Sequence, residues 1–324
     1  METSMSDLYP SHPVTIIGAG LSGLACARFL QDAGIESVVF DRGRHPGGRV
    51  ATKQIAHKED LHLFNHGAPK LDCFEQETRD WLARSGFDAL TSSDELVLPH
   101  MRSVPARLAE GIRLERSTHV ERLVQDGNHW RILAKRYKES DLVSQVSSHI
   151  VFACPPQQAM RVLKASSLRI PQELEEIHYD AQWVLMLVVD HADREALPGF
   201  QDDHPLIESL EWYENGETDQ IIVRMRPDES TNHYDTDPEE IKDLMIRQIH
   251  DALDGWVAPN AIQASAVHRW GLARARQHIA QSCITCQKDH ISYAGDHFGG
   301  PDGTWKDADA AILSGLHCAR SIIA

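Results

Sequence analysis

The alternation of apolar and polar positions is clearest at the start of the chain. Pro13-Val-Thr-Ile-Ile17 is a short β-branched run that stops at glycine, as a buried parallel strand does. Leu21 to Ala33 then carries Leu24, Ala25, Ala27, Phe29 and Leu30 at helical spacing, and Gly34 suits its C-terminal cap. Glu36-Ser-Val-Val-Phe40 is a second strand ending on Asp41. Strand, glycine turn, helix and strand in this order predict a βαβ unit.

Further on the pattern is less regular. It predicts an amphipathic helix over 74–84 with Gly86 behind it. Strands follow over about 112–133, with Gly127-Asn128 as a turn. Ser148 to Cys154 is another buried strand, halted by Pro155-Pro156, and Trp183 to Val189 is strongly apolar after a polar helical segment. A short strand is predicted over 220–225. A helix is predicted over 236–253, with Asp235 or Asp237 as cap, Pro238 in the first turn and Gly255 after the end. The last lap reads as a strand over 290–294, a glycine-rich loop and a terminal helix over about 305–322. The two ends of the chain therefore belong to one nucleotide-binding lobe, with the middle inserted as a second lobe.

Composition changes this picture little. The 324 residues, 42% apolar and 25% charged, suit a globular protein with one two-lobed unit or two modest domains. A formal charge of -16 argues against nucleic-acid or electrostatic membrane binding, because both need a basic face. No apolar run is long enough to span a bilayer and no signal pattern opens the chain, so a cytoplasmic location is expected. Residues 1–12 read as a flexible tail. Six scattered cysteines (Cys26, Cys73, Cys154, Cys283, Cys286 and Cys318) read as reduced thiols. Cys283 and Cys286 form one CxxC, without the second ligand pair or thioredoxin-like context that metal or redox work needs. No metal site is expected.

The local chemistry starts with Gly18-Ala-Gly20-Leu21-Ser22-Gly23, which follows a strand and opens a helix. Gly18 permits the tight turn, Gly20 lets the backbone approach a pyrophosphate, and Gly23 lets helix and strand pack. Asp41, 18 residues beyond Gly23, suits a carboxylate that accepts from ribose hydroxyls. Arg42 and the loop to Gly47-Gly48-Arg49 come next, where a glycine pair allows close passage by a flavin pyrophosphate and Arg49 can face it. Tyr293-Ala-Gly295-Asp296 leads through Gly299-Gly300 to the terminal helix and places a carboxylate for a ribityl chain. These three blocks point to FAD.

Together the blocks resemble the flavin-containing amine oxidase superfamily, and within it the renalase-like branch. Gly47-Gly48-Arg49-Val-Ala-Thr52, Phe64-Asn-His-Gly67-Ala68, Val151-Phe-Ala-Cys-Pro155 and His268-Arg-Trp-Gly-Leu-Ala273 carry the likeness. It implies an α/β, p-hydroxybenzoate-hydroxylase-like fold, with a Rossmann-type FAD-binding lobe and an inserted α+β substrate lobe. The FAD-binding lobe is expected over 13–70, 105–165 and 285–324, and the substrate lobe over 71–104 and 166–284. FAD would be non-covalent, with Gly67 and Ala68 beside the flavin. The substrate would be an aberrant dihydronicotinamide isomer of NAD(P)H, and O2 the electron acceptor, giving hydrogen peroxide. The likeness has gaps: Asn65-His66 stands where an acidic residue precedes Gly67, and Pro69-Lys70 replaces an aromatic pair.

An electron-rich dihydropyridine expels hydride unaided, so the protein need only align its ring with the flavin. Trp270 and Trp183 are candidate walls for a flat ring, or core packing. His268 is a candidate polar contact. Arg269 and Arg274 are candidate partners for substrate phosphates, or solvated surface groups. Two other readings are a true amine oxidase and a non-catalytic flavin-binding redox sensor or partner protein.

Overall fold

The computed structural model describes residues 12–88, 93–137, 141–190, 200, 203–215 and 217–324. The expected flexible tail, apart from His12, lies outside them. In chain order the elements begin with β1 (Val14–Ile17), α1 (Leu21–Asp32), β2 (Ser37–Phe40), β3 (Lys53–His57), β4 (Asp60–Phe64) and β5 (Leu71–Asp72). Next come α2 (Gln76–Arg84), β6 (Glu95–Leu96), α3 (Ser103–Leu108), β7 (Arg113–Glu115), β8 (Thr118–Asp126) and β9 (His129–Arg136). They continue with β10 (Leu142–Ser147), β11 (His149–Phe152), α4 (Pro156–Ala165), α5 (Gln172–Glu175) and β12 (Tyr179–Asp190). The last are β13 (Ile207–Asn215), β14 (Thr218–Met225), α6 (Pro227–Asn232), α7 (Pro238–Ala252), β15 (Ile262–Ala275), β16 (Ile284–Cys286), β17 (Ile291–Tyr293) and α8 (Asp307–Ile323).

The chain divides into two compact units. Unit 1 is Met1–Val50, Lys70–Ile177 and Gln277–Ala324, and unit 2 is Ala51–Pro69 and His178–Arg276. The expected bounds differ from these in four stretches, with 71–104, 166–177 and 277–284 in unit 1 and 51–69 in unit 2. Residues 71–104 fall in unit 1, because Asp309 of α8 accepts the amides of Phe74 and Glu75 at 2.8 and 3.2 Å and Arg320 pairs with Glu77 at 2.5 Å. Residues 51–69 fall in unit 2, because Ile55 and Phe64 of the β3–β4 hairpin join a core cluster of its sheet.

The unit 1 sheet has the order β16-β17-β11-β1-β2-β7. All neighbours are parallel except β16 and β17. β1 and β11 are buried at every position, which is why both read as unbroken apolar runs. Helices α1 and α8 lie in close contact: a Cβ on Gly315 would come within 2.1 Å of the Ser22 carbonyl oxygen. The strands' C-terminal ends deliver Gly18, Asp41, Cys154 and Gly295 to one edge, where ligands bind in parallel α/β sheets.

Unit 2 holds the antiparallel sheet β13-β14-β12-β15. Alternate residues of β12 face opposite sides. Trp183, Leu185, Leu187 and Val189 pack with Ile241, Met245 and Ile249 of α7, while Val184, Met186 and Val188 pack with Ile55 and Phe64. Both faces of β12 are covered, so its apolar run is continuous. The cap of α7 is Asp237, whose carboxylate accepts the Glu239 amide at 2.9 Å. Among the described residues no helix is long and apolar enough to cross a membrane.

The CxxC does not form a dithiol site. Cys283 precedes and Cys286 ends the extended strand β16, so their Cα atoms are about 10 Å apart, beyond the reach of a disulfide. The Cys286 thiol donates to Asp289 Oδ2 at 3.0 Å, whereas Cys283 lies beside Thr285. Burial raises the Cys283 thiol to about 11. Mild oxidation of the folded protein should therefore leave these cysteines unlinked, while denatured chains should form the bridge. A native Cys283–Cys286 disulfide in peptide mass mapping would contradict the strand geometry.

Candidate functional site

Three glycines at the β1–α1 turn serve different needs. A Cβ on Gly18 (φ 115°) would meet the Ala153 carbonyl oxygen at 2.5 Å, and one on Gly23 would meet the Gly18 oxygen at 1.9 Å. Both are therefore required for helix, turn and strand to pack. Gly20 has an ordinary φ of -73°, and a Cβ there would meet nothing within 4 Å. The start of α1 has no side-chain cap. Its amides and dipole therefore border open space of the kind that receives phosphate.

Asp41 closes the turn. Its carboxylate accepts the Ala19 amide at 2.6 Å and the Gly43 amide at 2.5 Å. Burial raises its pKa, opposed by those two amides and by Arg42. Each carboxylate oxygen keeps acceptor capacity for a ribose hydroxyl. Gly47 donates its amide to the Ala19 carbonyl at 2.7 Å, and Gly48 (φ 56°) lies against Gly20. The glycine doublet thus docks on the glycine turn, while the Arg42 side chain is exposed. Arg49 and Asp296, 247 residues apart, form a two-pronged ion pair at 2.7 and 2.8 Å. Gly295 is held by the Ser314 hydroxyl, which accepts its amide at 2.9 Å. Ser22 turns its own hydroxyl toward Ser314 at 3.3 Å and Leu21 is buried, so both offer backbone rather than side chain to a ligand. Gly18, Gly20, Gly23, Asp41, Gly48, Arg49, Gly295 and Asp296 thus gather in unit 1. Ser314 gave no signal as a serine inside a helix, nor did His297, a buried imidazole held near pKa 4 by desolvation. The open space at Gly20, the uncapped helix start and the carboxylate at the end of β2 fit a dinucleotide such as FAD.

Unit 2 gathers a different set. His268 and Trp270 project from the same side of β15, and His66 joins them from the loop after β4. The His66 ring stacks on Trp270 with centroids 5.2 Å apart, and His268 meets Trp270 edge-on at 4.5 Å. Burial holds both imidazoles near pKa 4, helped by the His268 ring and Lys53 at His66, and by Lys53 at His268. At neutral pH both rings are uncharged. Gly67 and Ala68 follow in the same loop, where the Gly67 amide donates to the Ala51 carbonyl at 3.4 Å.

The other expected substrate residues stand elsewhere. Trp183 is 2% exposed in the core facing α7, with its indole donating to the His233 carbonyl at 3.1 Å. It faces the opposite side of the sheet from Trp270, because neighbouring residues of paired strands alternate. Trp183 is therefore core packing and not a wall for a substrate ring on the Trp270 face. Arg269 shares that side, its guanidinium 4.1 Å from the Tyr234 ring centroid and 5.4 Å from that of Trp183. Arg274 is an exposed partner of Glu208 at 3.0 Å. Arg269 therefore faces away from the histidine–tryptophan cluster, and Arg274 is taken up by Glu208.

Residues 16–85 match the family described as an NAD(P)-binding Rossmann-like domain. The 15-cis-phytoene desaturase of Synechococcus elongatus is 39% identical over 62 residues, which is 18% of this chain and 13% of the desaturase. The chain thus spans a small part of that relative's length. A structure from Exiguobacterium sp. 255-15, provisionally identified as a protoporphyrinogen oxidase, superposes with a TM-score of 0.70 at 11% identity, covering 97% of this chain and 99% of its own. A redesigned putrescine oxidase superposes with a TM-score of 0.64 at 13% identity, covering 96% and 98%. The fold is that of the flavin-dependent amine oxidases. In this amine oxidase fold the Rossmann-like segment spans the glycine turn, Asp41 and the Gly47-Gly48-Arg49 loop.

Gly20→Val tests the site apart from the fold. The added side chain meets no protein atom near its Cβ, so the thermal midpoint should stay within a few degrees of the parent. It would occupy the open space at the helix start, so flavin content should fall to near zero. A folded, fully flavinated Gly20→Val protein would show that this space is not the phosphate site.

Proposed function

We propose that the protein is an FAD-dependent oxidoreductase that takes a hydride from a small substrate, foremost an aberrant dihydronicotinamide isomer of NAD(P)H. The observation that carries this reading is the open space at Gly20, bordered by uncapped amides and by Asp41. FAD would be held non-covalently by the amides of Gly18 to Gly23 and by Asp41, with Arg42, Gly48, Arg49, Gly295 and Asp296 as further contacts. When bound, the flavin would accept the hydride and pass electrons to O2, giving hydrogen peroxide.

The residues of unit 2 suit a donor that needs no proton removed. His66 and His268 are uncharged at neutral pH, with no carboxylate among the groups acting on either ring. A dihydropyridine pushes out its hydride from the ring nitrogen, so alignment outweighs acid–base catalysis. Trp270 offers a flat wall for such a ring, and His268 a hydrogen bond. A second reading, oxidation of an amine, is favoured by the fold likeness to putrescine oxidase.

Anaerobic addition of 6-dihydro-NAD, NADH and putrescine to the flavin-loaded protein separates the readings. The proposal expects fast bleaching by 6-dihydro-NAD and slow or no bleaching by the others. Bleaching by putrescine alone would replace it with the amine reading. A flavin that none of the three reduces would sink both.

A further inference from the structure

Three consecutive carbonyls of one loop in unit 2 are held by side chains of its sheet. Arg224 Nη2 donates to the carbonyls of Asn65 and Gly67 at 3.1 Å each. Trp270 Nε1 donates to the carbonyl between them, that of His66, at 2.9 Å. Thr52 adds a hydroxyl to Asn65 Oδ1 at 2.8 Å. Loop carbonyls usually face water. Here a short loop is tied down at each residue.

Arg224 is itself fixed. It is 6% exposed and its other terminal nitrogen pairs with Glu211 of β13, whose second oxygen accepts the Tyr213 hydroxyl at 2.8 Å. Val184 lies opposite Arg224 on one side and His268 on the other, so Arg224 and His268 stand in one row across β14, β12 and β15. Paired residues point to the same face, so this row serves the face that carries Trp270. A buried guanidinium is costly unless its donors are matched, and its planar fork can hold two carbonyls and a carboxylate together. A lysine ammonium keeps the charge without the fork.

We infer that Arg224, braced by Glu211, is a positioning residue that fixes the 65–67 loop and, through it, the stack of His66 on Trp270. The inference rests on the proposed role of Trp270 and His268 as substrate contacts. Its work is alignment rather than binding energy. Loss of the fork lets the aromatic face shift, and a displacement of about 1 Å slows a well-aligned transfer by roughly 100-fold.

The test uses the full chain loaded with FAD, as Arg224→Lys, Trp270→Phe and the double variant. In anaerobic stopped-flow with 6-dihydro-NAD, Arg224→Lys should lower the limiting rate of flavin reduction about 10-fold or more, with half-saturation changed by less than about 3-fold. Both variants act through one loop, so the double variant should be slower than the worse single by less than about 3-fold. A parental limiting rate in Arg224→Lys, or single effects that multiply in the double variant, would overturn the inference. Hydrogen exchange of a peptide covering 63–69 gives a readout that needs no substrate: it should speed up about 10-fold in Arg224→Lys. Unchanged protection there would overturn the inference even if reduction slowed. Should 6-dihydro-NAD fail to reduce the parent protein, the functional reading fails, and the exchange result still decides the clamp.

Discussion

The glycine-turn end of unit 1 depends on one steric constraint. The Gly18 carbonyl lies where any Gly23 side chain would stand, and Gly18 lies against the end of β11. Strand, turn and helix can meet this closely only because both positions lack a Cβ. The approach sets where α1 starts, and so where its unsatisfied amides point. Asp41 then ties the turn to the end of β2 through the Ala19 amide, and the glycine doublet seats on Ala19 as well. Gly20 stands apart: its φ is ordinary and a Cβ there would meet nothing within 4 Å, so packing does not require it.

Unit 2 solves a different problem. Its sheet packs one face on α7 through a large apolar cluster, and the other mixes a small apolar core with Arg224, His268 and Trp270. A buried arginine tolerates this setting because a carboxylate and two carbonyls take its donors. The two imidazoles tolerate it by giving up their charge, as their depressed pKa values record. The His66, His268 and Trp270 rings thus form an uncharged aromatic cluster beside the Arg224–Glu211 pair, in a protein whose net charge is -16.

Much of unit 1 was legible because its signals are local. Strand, glycine turn and helix are contiguous, and the fully buried strands are continuous apolar runs. The β3–β4 hairpin was missed because its two-residue turn is Lys58-Glu59, with Lys58 at φ 52° and none of the usual glycine or asparagine signal. The 14-residue β15 was missed because its positions are nearly all half-buried, which gives no clean alternation. Trp183 was left open between substrate wall and core packing, because an aromatic in an apolar run does not reveal which side of a two-faced strand it occupies. His66 stood out only within the Phe64 to Ala68 block, and Arg224 had no sequence signal, since 159 residues separate it from the Asn65 carbonyl that it holds.

The glycine cradle is proposed to hold FAD. The most direct test is heat or acid denaturation of the purified protein, followed by chromatography of the released supernatant. FAD, released without proteolysis, is expected at close to one equivalent per chain. Protein that carries no flavin and binds none when titrated with FAD would contradict it.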